Sequence, residues 1–370
     1  MSKPMACEVV HVSVPSRTYD VTIGRGILDQ VGLLTRATCN ATRACVISDS
    51  NVSPLYSDVV IDSLGKAGME PHLLTFPAGE RSKGIRTYSD LLEGLAKAGL
   101  TRDDVVVALG GGVTGDLAGF AAATYMRGCA VVQVPTSLLA MVDSSVGGKT
   151  AIDLSAGKNL AGAFFQPSAV IADVDCLRTI DPLLFADSCG EVIKHGVLAD
   201  PSLFERLEER PLTDEGPGDD DLIGVVRRNV EIKRDIVDAD EREGGVRQTL
   251  NLGHTIGHAI EAASDFKIGH GSCVAAGLCC MARACVAKGI CDEEVAERIE
   301  HVVAAHGLPT DTDLDHELLL ELAGSDKKRH GDTLNIVVPL SIGHVEVKKV
   351  DLPELGELID LGCGVASDGR

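Results

Sequence analysis

Residues 105–116 read VVVALGGGVTGD and decide the fold of the first half of the chain. The first five of them, all apolar, predict a strand, and the glycines that follow predict a tight turn into a helix. Backbone N–H groups at such a turn can approach a pyrophosphate. Gly110, Gly112 and Gly115 match the G-x-G-x-x-G spacing, but Val131 to Pro135 holds no acidic residue where a standard dinucleotide fingerprint has one. We therefore predict a phosphate-binding loop that is not a standard Rossmann fingerprint.

Around this stretch, short β-branched runs alternate with helix-period segments, which is typical of βαβ units and a mostly parallel sheet. Strands are predicted at Ala44–Ser48, His72–Phe76, Val105–Leu109, Val131–Val134 and Ala169–Ala172, with a helix at Thr87–Ala98. From about Pro182 the pattern predicts helices at Leu183–Ala199, Leu222–Asp238, Thr249–Ala263, Val274–Lys288 and Glu293–His306, and strands at Leu334–Val338 and His344–Lys348. The acidic segment 211–221, PLTDEGPGDDD, is predicted to be a solvated loop. We predict an α/β domain over residues 1–180 and a mostly α-helical domain over residues 181–370.

The 370 residues carry a net charge of -21, from 34 basic and 55 acidic side chains. Nucleic acids and anionic membrane surfaces need basic footprints, so this charge argues against both as partners. In so acidic a chain the window 117–172 is unusual, because it contains three basic residues and only two acidic ones. The basic residues are Arg127, Lys149 and Lys158. This local excess of positive charge indicates an anionic ligand.

The chain has 12 cysteines, and no two of them form a C-x-x-C pair. Many unpaired thiols are typical of a reducing compartment. The N-terminus lacks a basic region followed by an apolar run, and Arg283 interrupts the most apolar later segment. We therefore expect a cytoplasmic protein.

The segment from Asn251 to His270 carries the strongest indication of chemistry. His254 and His258 lie one helical turn apart, a spacing common in metal sites, and His270 follows between glycines. Thr255 replaces the glutamate of a zincin helix, so the pattern indicates a different divalent-metal site. The carboxylate that completes it remains open among Glu191, Glu243 and Glu261.

Two further segments offer charged side chains at useful spacing. Glu191 and Lys194, three apart in a predicted helix, share one face, where a solvated ion pair is the usual arrangement. Residues 143–150, DSSVGGKT, lack the spacing of a P-loop but present Lys149 after two glycines, with Lys158 and Asn159 shortly after. Two lysines and an amide can bind a phosphate or a carboxylate.

Taken together, these motifs resemble the 3-dehydroquinate synthase family from Val46 to about Val347. The resemblance is carried by GGGVTGD at 110, PTSLLAMVDSSVGGKT at 135, GKNLAGAFFQP at 157, GEVIKHG at 190, LNLGHTIGHAIE at 250, HG at 270 and DKK at 326. It implies a dehydroquinate synthase-like fold, in which a nucleotide-binding α/β domain precedes a helical metal- and substrate-binding domain. It also implies a homodimer.

The resemblance implies roles for individual residues. The metal, zinc or cobalt, would be held by Glu191, His254 and His270, while His258 and Glu243 would act as acid/base or orienting groups. Around the substrate's carboxylate, hydroxyls and phosphate would lie Lys149, Asn159, Lys194, Lys233, Arg247, Asn251 and Lys328, with Asp143 beside the reacting carbon and Arg127 reaching the phosphate from the neighbouring subunit. The NAD positions would be Asp49, Glu80, Lys83, Gly111, Gly112, Val113, Asp116, Thr136, Ser137, Lys158 and Thr179.

The implied reaction converts 3-deoxy-D-arabino-heptulosonate 7-phosphate to 3-dehydroquinate and phosphate, a step of aromatic amino acid biosynthesis through the shikimate pathway. It combines transient oxidation by NAD, β-elimination of phosphate, re-reduction and an aldol ring closure. Two alternatives stand beside it: a metal-dependent NAD alcohol or polyol dehydrogenase, and another sugar-phosphate cyclase. Three positions depart from the family's usual residues: Gly190 replaces an alanine, His195 a tyrosine, and Ser272 a glutamate.

Overall fold

The computed structural model describes residues 7–218, 220–325 and 333–364. The chain divides into two compact units: the first takes residues up to 179 together with 220–242, and the second takes 180–219 and the residues from 243 on. The single predicted boundary at residue 180 does not account for 220–242. This segment belongs to the first unit because its helix packs against the first strand and against the turn at Ala140–Ser144.

The first unit is built on a seven-stranded sheet. In chain order its elements are β1 (Glu8–Val14), β2 (Arg17–Gly24), α1 (Val31–Thr38), β3 (Arg43–Asp49), α2 (Ser53–Lys66), β4 (Glu70–Phe76), α3 (Ile85–Lys97), β5 (Val105–Gly110), α4 (Gly112–Thr124), β6 (Ala130–Pro135), β7 (Lys149–Leu154), β8 (Gly157–Phe164) and β9 (Ala169–Asp173). The strand order is β1-β2-β9-β6-β5-β3-β4, parallel except for the β1–β2 hairpin, and β7 and β8 form a separate antiparallel ribbon. The predicted mostly parallel α/β fold is confirmed, and every residue of β5 is buried.

The second unit is mostly helical. Its elements are α5 (Pro182–Ala199), α6 (Pro201–Glu209), α7 (Leu212–Glu215), α9 (His254–Ala263), α10 (His270–Ala287), α11 (Glu293–Ala305), α12 (His316–Ser325), β10 (Thr333–Ser341), β11 (His344–Asp351) and α13 (Leu352–Gly362), while α8 (Leu222–Ala239) lies in the first unit. By length and composition α10 alone, among the described residues, could cross a membrane, but 72% of that window is buried inside the protein. Its position explains this composition, since α5, α9, α11 and α13 all pack against it. It is the central core helix of the unit.

Three element predictions for the second half were wrong. The segment predicted as a loop contains α7, because Leu212 is buried and its backbone N–H donates to His306 Nε2 at 3.1 Å. The helix predicted from Thr249 begins only at His254, since Gly253 adopts a left-handed backbone with a φ of 77°. The helix predicted from Val274 already begins at His270, where the sequence shows only glycines around a histidine.

Asp104 stabilises the sheet of the first unit at the start of β5. Its side chain is buried and accepts hydrogen bonds from the backbone N–H groups of Thr42, Arg43 and Thr101, at 3.1, 2.7 and 2.7 Å. Burial by itself raises the pKa of Asp104, but these hydrogen bonds outweigh it and hold the pKa below its usual value. One carboxylate therefore ties the beginning of β3 to the turn before β5.

We predict that Asp104→Ala lowers the free energy of unfolding by about 3 kcal/mol, because several buried N–H groups lose their acceptor. Urea unfolding followed by circular dichroism measures this, and Asp103→Ala, at the exposed neighbouring position, should change the stability little. Because the folded pKa of Asp104 is lowered, its contribution is complete above the unfolded value of about 3.9 and is lost as the pH falls through the folded value. The stability difference from Asp104→Asn should therefore narrow below about pH 4. A difference independent of pH would contradict this assignment.

Candidate active site

Four side chains of types that can bind a metal meet in the second unit. His254 begins α9, His258 follows one turn later, His270 begins α10, and Glu191 lies in the middle of α5. The ring centroids of the histidines lie 5.1 to 5.8 Å apart, and each offers a nitrogen within 4.8 Å of the others. The rings of His254 and His270 are partly buried, whereas His258 is exposed.

Among the candidate carboxylates, Glu191 faces two of the imidazoles. It is fully buried, and its Oε1 lies 3.4 Å from His254 Nε2 and 3.3 Å from His270 Nε2. Ligand atoms about 2.0–2.2 Å from a tetrahedral ion are separated by about 3.4 Å. These separations therefore fit a zinc or cobalt ion held by Glu191, His254 and His270.

The hydrogen bond of His254 supports the same fit. Its Nδ1 lies 3.0 Å from the carbonyl oxygen of Leu252, which can only accept, so Nδ1 carries the hydrogen and Nε2 presents a lone pair. Burial holds the pKa of His254 well below its usual value, so the ring is neutral. A lone pair that faces the carboxylate of Glu191 at 3.4 Å is stabilised when a cation lies between them.

Glu261, a second carboxylate candidate, contacts the other side of His270. Its Oε2 lies 3.3 Å from Nδ1, an orientation that directs Nε2 toward Glu191. Burial lowers the pKa of His270, but hydrogen bonds to Glu191 and Glu261 outweigh this and raise the pKa to about 10. Because Glu191 and Glu261 contact the two nitrogens of the His270 ring, positive charge at this ring is strongly favoured. The described geometry therefore gives Glu261 an orienting position, which the sequence pattern did not distinguish from a ligand position.

Lys194 holds the remaining oxygen of Glu191. The Nζ lies 2.5 Å from Oε2, and both side chains are almost fully buried, so the expectation of a solvated ion pair was wrong. Burial raises the pKa of Glu191, but Lys194 and the two histidines outweigh it and hold the pKa well below the usual range. Glu191 is therefore a charged carboxylate with one oxygen on a lysine and the other on two imidazoles.

The third candidate, Glu243, lies in the segment that leads to α9. It has a left-handed backbone with a φ of 62°, and Asn251 Nδ2 donates to its Oε1 at 3.4 Å. Arg247, between them, is completely buried. Two of the residues to which the resemblance assigns roles, Glu243 and Asn251, are thus in contact.

In the first unit, the glycine loop lies at the point where the strand order reverses. After β3 the chain passes to β4 on one side and then to β5 on the other, so the carboxyl ends of β3 and β5 border a crevice. Asp49 ends β3, and its Oδ2 accepts from Thr114 Oγ1 of α4 at 3.2 Å. At Gly110 a Cβ would lie 2.4 Å from the same hydroxyl, and at Gly112 one would lie 3.2 Å from Ser144 Oγ. Glycine thus leaves the backbone start of α4 open to a phosphate.

A second group of predicted NAD positions clusters around Lys83. Its Nζ lies 2.6 Å from Asp116 Oδ2, 2.6 Å from Asn159 Oδ1 and 4.0 Å from Glu80, which also pairs with Lys158 at 3.4 Å. Burial lowers the pKa of Lys83, but Asp116 and Glu80 outweigh it, so the pKa lies above its usual value. Asn159 has a left-handed φ of 55°. Motifs that are far apart in sequence therefore form one charged cluster.

Asp143 and Lys233 form a further ion pair in this unit, with Nζ 2.9 Å from Oδ1. Asp143 lies in a π-helical turn at Ala140–Ser144, an irregularity common at functional sites. Lys149 begins β7 and is exposed. Arg127 is exposed as well and has a left-handed φ of 65°.

The remaining assignments are placed as follows. Thr136 is buried after β6, and its backbone N–H donates to the Gly110 carbonyl at 3.0 Å. Ser137 Oγ accepts from the backbone of Ala140 at 3.3 Å, and Thr179 contacts the hydroxyl of Tyr56 at 2.5 Å. Gly111 and Val113 flank Gly112 at the start of α4. Lys328 lies outside the described residues.

The chain matches the sequence models of the two parts of one family, "3-dehydroquinate synthase N-terminal" over residues 73–186 and "3-dehydroquinate synthase C-terminal" over residues 188–329. It is 41% identical over 363 residues to a 3-dehydroquinate synthase of Citrifermentans bemidjiense, which covers 98% of this chain and 99% of that protein.

Two solved structures of other synthases have the same fold as this chain. A 2-deoxy-scyllo-inosose synthase with carbaglucose-6-phosphate, NAD+ and Co2+ superimposes with a TM-score of 0.86, at 26% identity, over 96% of this chain and 100% of that one. The 2-epi-5-epi-valiolone synthase of Streptomyces hygroscopicus, with NAD+ and Zn2+, superimposes with a TM-score of 0.85, at 25% identity, over 94% and 98%.

The geometry predicts different outcomes for the two histidines of α9. His254→Ala should weaken Co2+ binding by more than about 100-fold, because it removes a ligand, whereas His258→Ala should bind Co2+ as tightly as the unaltered protein. Competition with a chromophoric chelator measures both, and His301→Ala on the exposed face of α11 is the matched control. Equal losses in the His254 and His258 variants would instead favour a site formed by the three histidines.

Proposed function

Because this chain belongs to the 3-dehydroquinate synthase family, we propose that it converts 3-deoxy-D-arabino-heptulosonate 7-phosphate to 3-dehydroquinate and phosphate. The enzyme is a carbon–oxygen lyase of aromatic amino acid biosynthesis. The observation that carries the proposal is the buried Glu191 carboxylate, whose Oε1 lies 3.3–3.4 Å from two imidazole nitrogens in a chain with near full-length identity to these synthases. Its cofactors are NAD and a divalent metal, Zn2+ or Co2+. When bound, they supply reversible hydride transfer and polarisation of a substrate oxygen.

The first unit is proposed to hold NAD. Backbone N–H groups at Gly111, Gly112 and Val113 bind the pyrophosphate at the start of α4, and Asp49 lies at the adjacent strand end. The cluster of Glu80, Lys83, Asp116 and Lys158 supplies charged contacts to the rest of the cofactor, together with Thr136, Ser137 and Thr179. Asp143, held by Lys233, faces the reacting part of the cofactor.

The second unit is proposed to hold the metal and most of the substrate contacts. Glu191, His254 and His270 bind the ion, and Lys194 keeps Glu191 charged and oriented through Oε2. The exposed ring of His258 lies beside the other two, and its proposed role is to move a proton to or from the substrate. Glu243, which accepts a hydrogen bond from Asn251, is proposed to transfer a proton as well or to orient a hydroxyl group of the substrate.

The anionic substrate needs positive charge in a chain that carries -21 overall. Lys149, Lys194, Lys233 and Arg247 supply it, together with Arg127 and Lys328. Such groups lower the barrier to elimination because they stabilise the negative charge that develops on the departing phosphate. A simple alcohol dehydrogenase has no need for these positively charged side chains. The other sugar-phosphate cyclases are less similar in sequence: the chain is 41% identical to a 3-dehydroquinate synthase, but 26% and 25% identical to the inosose and valiolone synthases.

We also propose a cytoplasmic homodimer. All 12 cysteines are free thiols, and most of them are buried, which is the usual pattern in a reducing compartment. The homodimer follows from the family's expectation that Arg127 acts on the neighbouring subunit's substrate. Its exposed position at a left-handed turn is compatible with such a role.

The reaction has a distinctive signature, since the hydride taken from the substrate is returned to it. We predict that the protein releases phosphate and dehydroquinate with no lasting absorbance at the NADH band. A chelator should abolish the release of phosphate, and added Co2+ or Zn2+ should restore it. The His258→Ala variant, which retains the metal, should release at least about 100-fold less phosphate per second. Accumulation of NADH with simple alcohols, without release of phosphate, would contradict the synthase proposal and favour a dehydrogenase.

The shared site can be tested with hybrids of two inactive variants. A dimer of one Arg127→Ala subunit and one His254→Ala subunit retains one complete site only if Arg127 acts across the interface. Random mixing should then restore about one quarter of the activity of the unaltered protein. If Arg127 serves its own subunit, every site in the hybrid lacks one residue and the mixture stays inactive.

A further inference from the structure

The start of α10 has no cap of its own. The residue before the helix is Gly269, which has no side chain, so the first N–H groups of α10 have no acceptor from their own segment. His270 is the first residue of this helix and one of the proposed metal ligands. Any movement of the helix start moves its imidazole as well.

Asp187 of α5 takes the place of that cap. Its Oδ2 accepts from the Gly271 N–H at 3.2 Å, and its Oδ1 accepts from the Ser272 N–H at 2.8 Å and the Ser272 hydroxyl at 2.7 Å. The side chain is buried, with 8% of its surface exposed. A carboxylate at a helix start is favoured both by hydrogen bonding and by the helix dipole. The acceptor comes from 84 residues earlier in the chain.

The backbones of α5 and α10 approach closely at the same place. A Cβ at Gly190 would lie 2.2 Å from the carbonyl oxygen of Gly271, and one at Gly271 would lie 1.8 Å from the carbonyl oxygen of Asp187. The alanine usual at position 190 in the family therefore does not fit here. Asp187 is also one helical turn before Glu191, so a single turn of α5 presents one metal ligand and holds the helix that presents another.

Two of the family departures, Gly190 and Ser272, thus meet at one junction. Ser272 is the third residue of α10, where a glutamate can reach back to the N–H of the residue before the helix, which is Gly269 here. This chain lacks that glutamate and instead has a serine that donates to Asp187. We propose that Asp187 is a positioning residue for the metal site, which holds His270 in place through the start of α10. The inference rests on the metal site proposed above.

The test compares two buried aspartates that cap helices in the same unit. Asp187→Ala should weaken Co2+ binding by about 10- to 100-fold and change the visible spectrum of the bound Co2+, because His270 is displaced. Asp200→Ala is the matched control: Asp200 is equally buried, at 8%, and accepts from the Ser202 and Leu203 N–H groups at the start of α6. Both variants should lower the melting temperature by about 2–4 °C, because each removes a helix cap. Asp200→Ala should nevertheless leave the affinity for Co2+ and the spectrum of the bound ion unchanged.

A rescue variant separates positioning from general damage to the fold. Asp187→Ala combined with Gly269→Ser replaces the cap from α5 by a local one, because a serine hydroxyl before the helix can accept from the same N–H groups. A Cβ at Gly269 would lie 2.2 Å from Asp187 Oδ1, an atom that the alanine variant lacks. The double variant should recover most of the lost Co2+ affinity. If Asp187→Ala does not fold, Asp187→Asn serves instead: it keeps the shape but places an amide N–H against the Gly271 N–H, and a several-fold loss of affinity is expected.

The outcomes are distinguishable. If Asp187→Ala binds Co2+ within about twofold of the unaltered protein, or if Asp200→Ala loses as much affinity, the positioning role is overturned. Failure of the unaltered protein to bind Co2+, or equal binding by His254→Ala, would contradict the metal site itself rather than the role of Asp187.

Discussion

The second unit depends on one energetic constraint, the burial of the Glu191 carboxylate. Removing a carboxylate from water costs several kcal/mol unless other charges and hydrogen bonds compensate for it. Lys194 compensates on one oxygen at 2.5 Å, and two imidazoles face the other. Because these partners come from three helices, α5, α9 and α10 have to meet within one side-chain length of each other.

Glycine makes that meeting sterically feasible. At Gly277 of α10 a Cβ would lie 2.3 Å from the Gly253 carbonyl oxygen, just before α9, and at Gly190 of α5 one would lie 2.2 Å from the Gly271 carbonyl oxygen. The central helix is correspondingly rich in alanine, glycine and cysteine, whose small side chains let neighbouring helices approach. Glycine has the same effect in the first unit, where Gly110 and Gly112 leave the start of α4 free of side chains. The absence of a side chain thus permits close helix packing in one unit and access for a ligand in the other.

Much of this could be predicted from local pattern. The five strands predicted for the first unit, β3, β4, β5, β6 and β9, lie within one or two residues of their predicted positions, because a β-branched run bounded by glycine and polar residues is a strong local signal. The hairpin of β1 and β2 and the ribbon of β7 and β8 were not predicted. In the second half, the errors in helix bounds lie where a long-range contact outweighs the local pattern. Leu212 starts a short helix because His306 accepts its N–H, and α10 begins at His270 because Asp187 caps it from another helix. Residues 220–242 join the first unit through contacts with β1 that no local pattern announces.

For the candidate site, the residues themselves revealed the chemical inventory: two histidines one turn apart, a third between glycines, three acidic candidates, and lysines in an acidic chain. Side-chain type and spacing along a helix suffice for that, because both are properties of the local chain. The residue pattern left the three acidic groups open, and the family resemblance singled out Glu191. The tertiary structure gives the physical difference, with Glu191 beside two Nε2 atoms, Glu261 behind His270, and Glu243 against Asn251. It also revealed Asp187. Which oxygen faces which nitrogen depends on how helices far apart in sequence pack, and that is decided by burial and steric fit across the whole unit rather than by any one segment.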